Sequence, residues 1–569
     1  MFLPASRAEL KERSISRPDV ILVTGDAYID SPYCGVAVIG RVLQAAGYSV
    51  AVIPQPHTDS PADIAALGEP RLFWGISAGC VDSEVANYTP LGKPRRSCDF
   101  TPGGRNDRRP DRASIVYTNL VRRHFKNTVP IVLGGIEASL RRIAHYDFRS
   151  DSVRRSLLLD AKADLLVYGM GERAVLDIAA ALSHGQHVEA VPGTCIVAKK
   201  PPDTYETLPR FESVRKDKKA FASMFNLFYT CNTRKSAPGL VQQHGDRYLV
   251  HHPPARPLSR EELDRIHELP FQHDAHPACR AQGEIRALDT IRDSIVTHRG
   301  CFGECSFCAI ALHQGRSVLS RSKESILREA KSLSQRKGFR GTIKDVGGPT
   351  ANMYKASCPR LDELEPCQEK SCIGYHGICH RLRLGHDRQM ELLREIENIP
   401  GVKNVFVSSG IRFDLILADA RHGRAYLKQL IARHISGQLK IAPEHCVDSV
   451  LELMNKPTAE KASRFAALYR ELAQKTGKNI HLSCYVISAH PGSSQEHMER
   501  FLQFARKHFR FMPEQVQIFT PTPSTRSTTM YWSGLDPFTG RKVWSERRVA
   551  GKQKQKEILS PKKKHDPKR

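Results

Sequence analysis

Residues 297–310 read THRGCFGECSFCAI: Cys301, Cys305 and Cys308, spaced x3 and x2, sit on one short loop. Directly upstream, the apolar run Ser294–His298 has the composition of a buried strand, so the loop leaves a strand end. Three thiolates this close can hold three irons of a 4Fe–4S cube. The fourth iron then lacks a protein ligand and can bind a small molecule, whereas a fully ligated cube normally only transfers electrons. Gly300 and Gly303 relieve backbone crowding where the loop wraps the cluster. Two other readings exist: a structural zinc with a distant fourth ligand, and three reduced, inert thiols. Zinc sites usually pair two Cys-x2-Cys knuckles, which this spacing does not do.

Downstream of the loop the pattern alternates. Candidate strands follow at Gly341–Val346, Val402–Ser408, Gly437–Ile441, His481–Ser488 and Gln515–Thr520, with amphipathic stretches between them. One predicted helix covers Ser322–Lys337, and another starts at a capping box Ser493–Glu496 after Gly492. Six β/α units predict a partial (β/α)6 barrel over 291–535, with its chemistry at the carboxyl ends of the strands. Upstream, Val20–Gly25, Leu72–Ser77, Val129–Gly134 and Asp164–Gly169 alternate with helical stretches, which predicts a doubly wound, Rossmann-like α/β domain over 1–199. Residues 200–290, rich in Pro, His and charge, read as a wrapping connector with one short helix near Glu261–Leu269. Residues 536–569 read as a basic, disordered tail.

Composition bounds the class. With 40% hydrophobic and 26% charged residues, the chain is neither collagen, coiled coil nor wholly disordered. No run of about 18 apolar residues predicts a membrane span, and MFLPASRAELKERS lacks the apolar core of a secretory signal. A cytoplasmic location is expected, in which 15 cysteines suit metal ligation or packing better than disulfides. Net charge is +26; the segment from Arg541 holds 12 basic and 3 acidic residues, leaving +17 on the body. That body permits an anionic partner such as RNA or a phosphorylated small molecule.

A second cysteine group lies in an insertion at 356–386, where Cys358, Cys367, Cys372 and Cys379 are spaced x8, x4 and x6. Four soft ligands in a polar segment predict a second metal site, either an iron–sulfur cluster or zinc. The remaining cysteines are scattered and read as packing residues.

On these residues the chain resembles the radical S-adenosylmethionine (radical SAM) superfamily, including the aromatic Phe307 before the last cysteine. HRGCFGECSFCAIALHQGRSVLSRS, KDVGGPTANMY, SSGIRFD, LKIAPEH and YVISAHPGSSQE narrow the likeness to the YgiQ-type family, which has no assigned reaction. The resemblance implies that the open iron chelates the amino and carboxylate groups of S-adenosylmethionine. It also implies that one electron cleaves the sulfonium, giving methionine and a 5′-deoxyadenosyl radical that takes hydrogen from a substrate carbon. An electron donor such as flavodoxin or ferredoxin follows from this. The resemblance further assigns cofactor contacts to Gly347 and Gly348, to Ser408, Ser409 and Arg412, and to Pro491 and Gly492. Pro349 stands where the superfamily has a glutamate after the two glycines. No catalytic residue is assigned.

The amino-terminal third resembles the cobalamin-binding-type domain that precedes many radical enzymes. Its loop DAYIDSPYCGVAVIG holds no histidine for cobalt, which argues against cobalamin and for a scaffold or clamp. Within the enzyme reading, RNA modification competes with small-molecule chemistry. Outside it, the alternative is a non-catalytic, metal-stapled RNA-binding protein.

Overall fold

The computed structural model describes residues 1–232, 237–361, 371–478, 480–510, 513 and 515–560. Apolar runs in the amino-terminal region form β1 (Val20–Thr24), β2 (Val50–Pro54), β3 (Phe73–Ser77), β4 (Ile131–Gly134) and β5 (Leu165–Val167). They pair in parallel in the order β2-β1-β3-β4-β5, the flavodoxin-like form of the doubly wound sheet. Both faces are covered, which is why these strands read as continuous apolar runs rather than alternating ones. Leu22, Val52 and Val132 pack on one side with helices Gly35–Ala45 and Glu172–Ser183. Ile21, Trp74 and Ile131 pack on the other, against helix Ala113–His124.

The segment read as a wrapping connector is largely part of this domain. β6 (Thr194–Ala198) runs antiparallel to β5, and β7 (Glu206–Leu208), β8 (Leu240–His244) and β9 (Arg247–His251) extend the sheet to nine strands, in the edge order β6-β9-β8-β7. β8 and β9 form a hairpin closed by Gly245-Asp246, with Gly245 at φ +64°. A 15-residue helix, Lys218–Asn232, buries Phe221, Met224, Phe225, Phe228 and Cys231. Its helical period is masked by intervening apolar residues such as Leu227. The short helix expected near Glu261–Leu269 is present at Arg260–His267, capped by Ser259 and Glu262.

The second region is a partial barrel. β10 (Ser294–Val296) pairs in parallel with β11 (Asp345–Gly347), and Thr342–Ile343 pairs with Asn404–Val405. A parallel bridge from Ile411 to Ile441 joins the next strand, β12 (Gln438–Glu444), which is followed by β13 (His481–Ser488) and β14 (Gln515–Ile518). The third strand is shorter than predicted. The N–H groups of Ser408 and Ser409 turn from the ladder to the Asp345 carboxylate, at 2.8 and 3.1 Å. The capping box also differs: it uses Ser494 and His497, because Ser493 is buried and its Oγ lies 3.2 Å from Gln555 Oε1.

That glutamine corrects the reading of the tail. Residues 549–559 form a helix, Val549–Leu559, that buries Lys552, Gln555 and Leu559; residues 561–569 lie outside the described residues. Few apolar residues mark this helix in the sequence, because polar contacts hold it. Gln555 Oε1 accepts from Ala489 N–H at 2.8 Å, and its Nε2 donates to the Ser493 carbonyl at 3.0 Å. Gln555→Leu leaves both backbone groups unpaired and should cost about 1–3 kcal/mol, measured as a lower denaturation midpoint.

Candidate cluster site

The segments holding Cys301–Cys308, Gly347–Gly348, Ser408–Arg412 and Pro491–Gly492 follow the carboxyl ends of barrel strands. Gly300, at φ +77°, makes the turn out of the first of them, and a Cβ there would run into the Ser317 carbonyl oxygen. A Cβ on Gly303 would lie 2.5 Å from Arg412 Nη1, so a side chain here would displace the guanidinium from the loop. Cys301 is buried; its Sγ accepts from Gly303 N–H at 3.3 Å and lies 3.4 Å from Thr350 Oγ1. Cys308 N–H donates to the Cys305 carbonyl at 3.0 Å, closing the loop. Burial pushes the Cys301 thiol up, and burial followed by the neighbouring Cys305 pushes Cys308 to about 12. Metal ligation at Cys301 and Cys308 would therefore have to release thiol protons that burial holds on.

Arg412 sets the opposite charge. Its Nη1 lies 3.8 Å from Cys305 Sγ, while Nε and Nη2 donate to the two Asp414 oxygens at 3.0 and 2.7 Å. Burial works against ionisation of Asp414, and the Arg412 guanidinium overcomes it, holding the carboxyl below its ordinary range. Asn352 fixes the arginine's backbone, accepting from its N–H at 2.8 Å and donating to its carbonyl at 3.0 Å. Arg412→Met should destabilise the protein by about 3–5 kcal/mol, because it strands a buried carboxylate. The double variant Arg412→Met/Asp414→Leu should recover part of that loss in urea denaturation. Equal losses would contradict this assignment of the pair.

The other predicted contacts gather around the same mouth. Ser408 and Ser409 both bond to Asp345, so their hydroxyls and N–H groups serve the strand end in this conformation. Gly347 ends β11, and a Cβ on Gly348 would lie 2.6 Å from the His298 ring. Gly492, at φ +87°, follows Pro491 and donates to the Trp544 carbonyl at 2.7 Å. The Phe307 ring stands edge-on to His490 at 6.1 Å. His490 Nε2 lies 2.7 Å from Ser527 Oγ, which lies 2.9 Å from Ser306 Oγ on the cluster loop. Burial lowers His490 to about 3, so the ring is neutral.

Sequence reasoning missed Asp345, Asp414, Glu444 and Lys456. The first two lie inside the quoted KDVGG and SGIRFD segments, beside residues that were singled out. Lys456 Nζ sits 3.8 Å from Glu444 Oε1, both side chains buried, and its charge lowers the Cys308 thiol against the effect of burial. Glu444 has a left-handed backbone, φ +66°, at the end of β12.

The amino-terminal domain closes over this end. Tyr229 O–H donates to Glu304 on the cluster loop at 2.6 Å, and Arg316 stacks over the tyrosine ring at 3.6 Å. Ser139 Oγ lies 2.9 Å from His313 Nδ1 and accepts from Gly169 N–H at 3.0 Å. Arg299 and Glu172 form a buried ion pair across the same seam. The carboxyl ends of β4 and β5 thus rest on the helix that follows the cluster loop, Ile310–His313.

Whether the three thiols suit a cluster is decided by their chemistry. Among the described residues, no three His, Cys, Asp or Glu side chains converge as they would on a single ion. In a cube each cysteine binds a different iron, so the sulfurs need not share one point. A loop of one buried and two half-buried thiols beside two cations and a glycine cradle fits that group.

Comparisons with known proteins agree with this architecture. A family model described as Radical SAM N-terminal matches residues 2–294, and the Radical SAM superfamily model matches 295–505. A UPF0313 protein of Fusobacterium nucleatum is 46% identical over 565 residues, covering 99% of both chains. That of Thermotoga maritima is 47% identical over 574 residues, covering 100% of both. That of Methanosarcina acetivorans is 43% identical, covering 98% of this chain and 78% of its own. Among solved structures, the cobalamin-dependent S-adenosylmethionine radical enzyme OxsB with aqua-cobalamin bound aligns with a TM-score of 0.52 at 12% identity. The alignment covers 92% of this chain and 56% of that one.

Proposed function

The chain belongs to the UPF0313 family of radical SAM proteins, and from that premise we propose that Cys301, Cys305 and Cys308 hold a 4Fe–4S cluster that binds S-adenosylmethionine. When bound, the pair supplies one-electron cleavage of the sulfonium to a 5′-deoxyadenosyl radical that acts on a substrate. The observation that carries this reading is the three-thiol loop at a barrel strand end, Cys301 buried and Cys305 and Cys308 half-buried, with Arg412 directed at Cys305.

The chain's own residues have separable tasks. Arg412 and Lys456 offset the negative charge of the thiolates. Gly347 and Gly348 present bare backbone at a strand end, beside Ser408 and Ser409, whose hydroxyls would have to leave Lys344 and Asp345 to meet the cofactor's amino acid or ribose there. Phe307, Pro491 and Gly492 supply an apolar wall for its base. The amino-terminal domain, through Tyr229, Ser139 and Glu172, covers the mouth and excludes water, which protects a radical from quenching. Its β1 loop offers no histidine, and we read the domain as a clamp rather than a cobalamin carrier.

The reductant is an external one-electron donor such as flavodoxin or ferredoxin, and the +17 body favours an anionic substrate, RNA or a phosphorylated small molecule. Among the described residues no helix is long and apolar enough to cross a membrane, and a cytoplasmic site of action is the proposal.

The test is turnover. Protein reconstituted anaerobically with iron and sulfide, mixed with S-adenosylmethionine and dithionite, should release 5′-deoxyadenosine and methionine. An iron-free preparation that binds RNA with steep salt dependence would contradict the enzyme reading.

A further inference from the structure

Among the described residues, the insertion at 356–386 forms no separate apolar core. Among its described residues, the regular structure is a single 3-10 turn, Pro359–Leu361, two strands of two residues each, Ile373–Gly374 and Gly377–Ile378, and the start of the next helix at His386. A two-stranded hairpin this short is marginally stable by itself and needs something to tie it down. Its buried side chains, Ala356, Cys358, Ile373 and Leu382, pack with Cys301, Phe302, Met353 and Leu415, and Cys372 and Cys379 border the same cluster.

Pairing brings the described cysteines together. Ile373 opposes Ile378 and Gly374 opposes Gly377, so the same register places Cys372 opposite Cys379, whose N–H donates to the Cys372 carbonyl at 2.9 Å. Opposed residues in such a pair have Cα atoms about 4.5–5.5 Å apart. An antiparallel bridge from Ser357 to Arg383 sets Cys358 opposite Leu382, whose N–H donates to the Cys379 carbonyl at 3.0 Å. The hairpin is fastened to the first cluster loop by a parallel bridge from Gly303 to Ile373, and by Asn455, which donates to the Glu304 carbonyl at 3.1 Å and accepts from Tyr375 N–H at 3.1 Å.

We propose that Cys358, Cys372 and Cys379 ligate a second iron–sulfur cluster, which pins the insertion against the loop of the first. Cys372 and Cys379 are opposed across one backbone pairing, Cys358 lies on the second, and all three border one apolar cluster, an arrangement in which each thiol can take a separate iron. Cys367 lies outside the described residues, and the proposal does not use it. Metal binding here contributes folding energy to the hairpin.

The test uses full-length protein reconstituted anaerobically with iron and sulfide. Wild type should hold about eight irons per chain, as two 4Fe–4S groups. Cys372→Ser/Cys379→Ser should fall to about half of that iron while still cleaving S-adenosylmethionine in a single turnover. The Cys301→Ser/Cys305→Ser/Cys308→Ser variant should also keep about half. The two sites therefore fail separately, and loss of one does not decide the other. Mössbauer spectroscopy of unaltered 57Fe-loaded protein, which requires no folding of a variant, should resolve two clusters. A single cluster, one zinc per chain in place of the second, or a Cys372–Cys379 disulfide in air-free protein would overturn the proposal.

Discussion

On the proposed ligation, alanine at Cys301, Cys305 or Cys308 is expected to lower 5′-deoxyadenosine formation by more than about a hundredfold, because each would remove one of three points holding the cube and leave an iron open to loss. Only Cys301 lies within the small apolar cluster formed with Phe302 and Met353; Cys305 is half-buried. Cys305→Ala should therefore leave the folded protein close to wild type in urea denaturation. Cys301→Ala should add a packing loss of about 1 kcal/mol. The readouts are iron per chain, product by chromatography and the denaturation midpoint. Activity that survives the triple alanine variant would refute the assignment of the loop.

Gly300→Ala should be almost as damaging without touching a ligand. A residue with a Cβ at φ +77° already costs about 1–2 kcal/mol, and here the added methyl meets the Ser317 carbonyl, a backbone atom that cannot swing aside. Gly300 N–H also donates to Gln314 Oε1 at 3.1 Å, so displacing the turn moves the start of the loop. Iron incorporation should drop by about tenfold or more. Gly338, at φ +89° with open space around it, is the matched control: Gly338→Ala carries the conformational cost alone and should keep its iron. Equal behaviour of the two variants would show that the crowding at Ser317 does not matter.

What was legible in the sequence follows from how each part is held. The parallel strands of both regions stand out because buried strands are apolar on both faces, and the cluster loop because thiol spacing is tied to chemistry. Strands β7 to β9 were hidden by the Pro, His and charge around them, although Gly245-Asp246 between two apolar runs is a hairpin signal. The last helix was hidden because buried Gln555 and Lys552 hold it by hydrogen bonds rather than by an apolar stripe. In the site, Gly300 and Gly303 were readable from the tightness of the loop, and Gly347, Gly348 and Gly492 from the family resemblance. The roles of Asp345 and Asp414 were not, since whether a carboxylate orients a serine pair or an arginine depends on which strand ends meet. Lys456 was beyond reach for the same reason: it follows a turn whose Met454 carbonyl accepts from Ser306 N–H on the cluster loop, a contact 148 residues apart in sequence.

The central claim is an iron cube with one corner left open for the sulfonium donor, and electron paramagnetic resonance of the reduced protein addresses it directly. With dithionite and no added ligand, the reconstituted chain should give the signal of a 4Fe–4S cluster. Adding S-adenosylmethionine should change that signal, and 15N at the donor's amino group should appear as a nucleus coupled to the cluster. A spectrum indifferent to the donor, or protein that takes up no iron at all, would contradict the account.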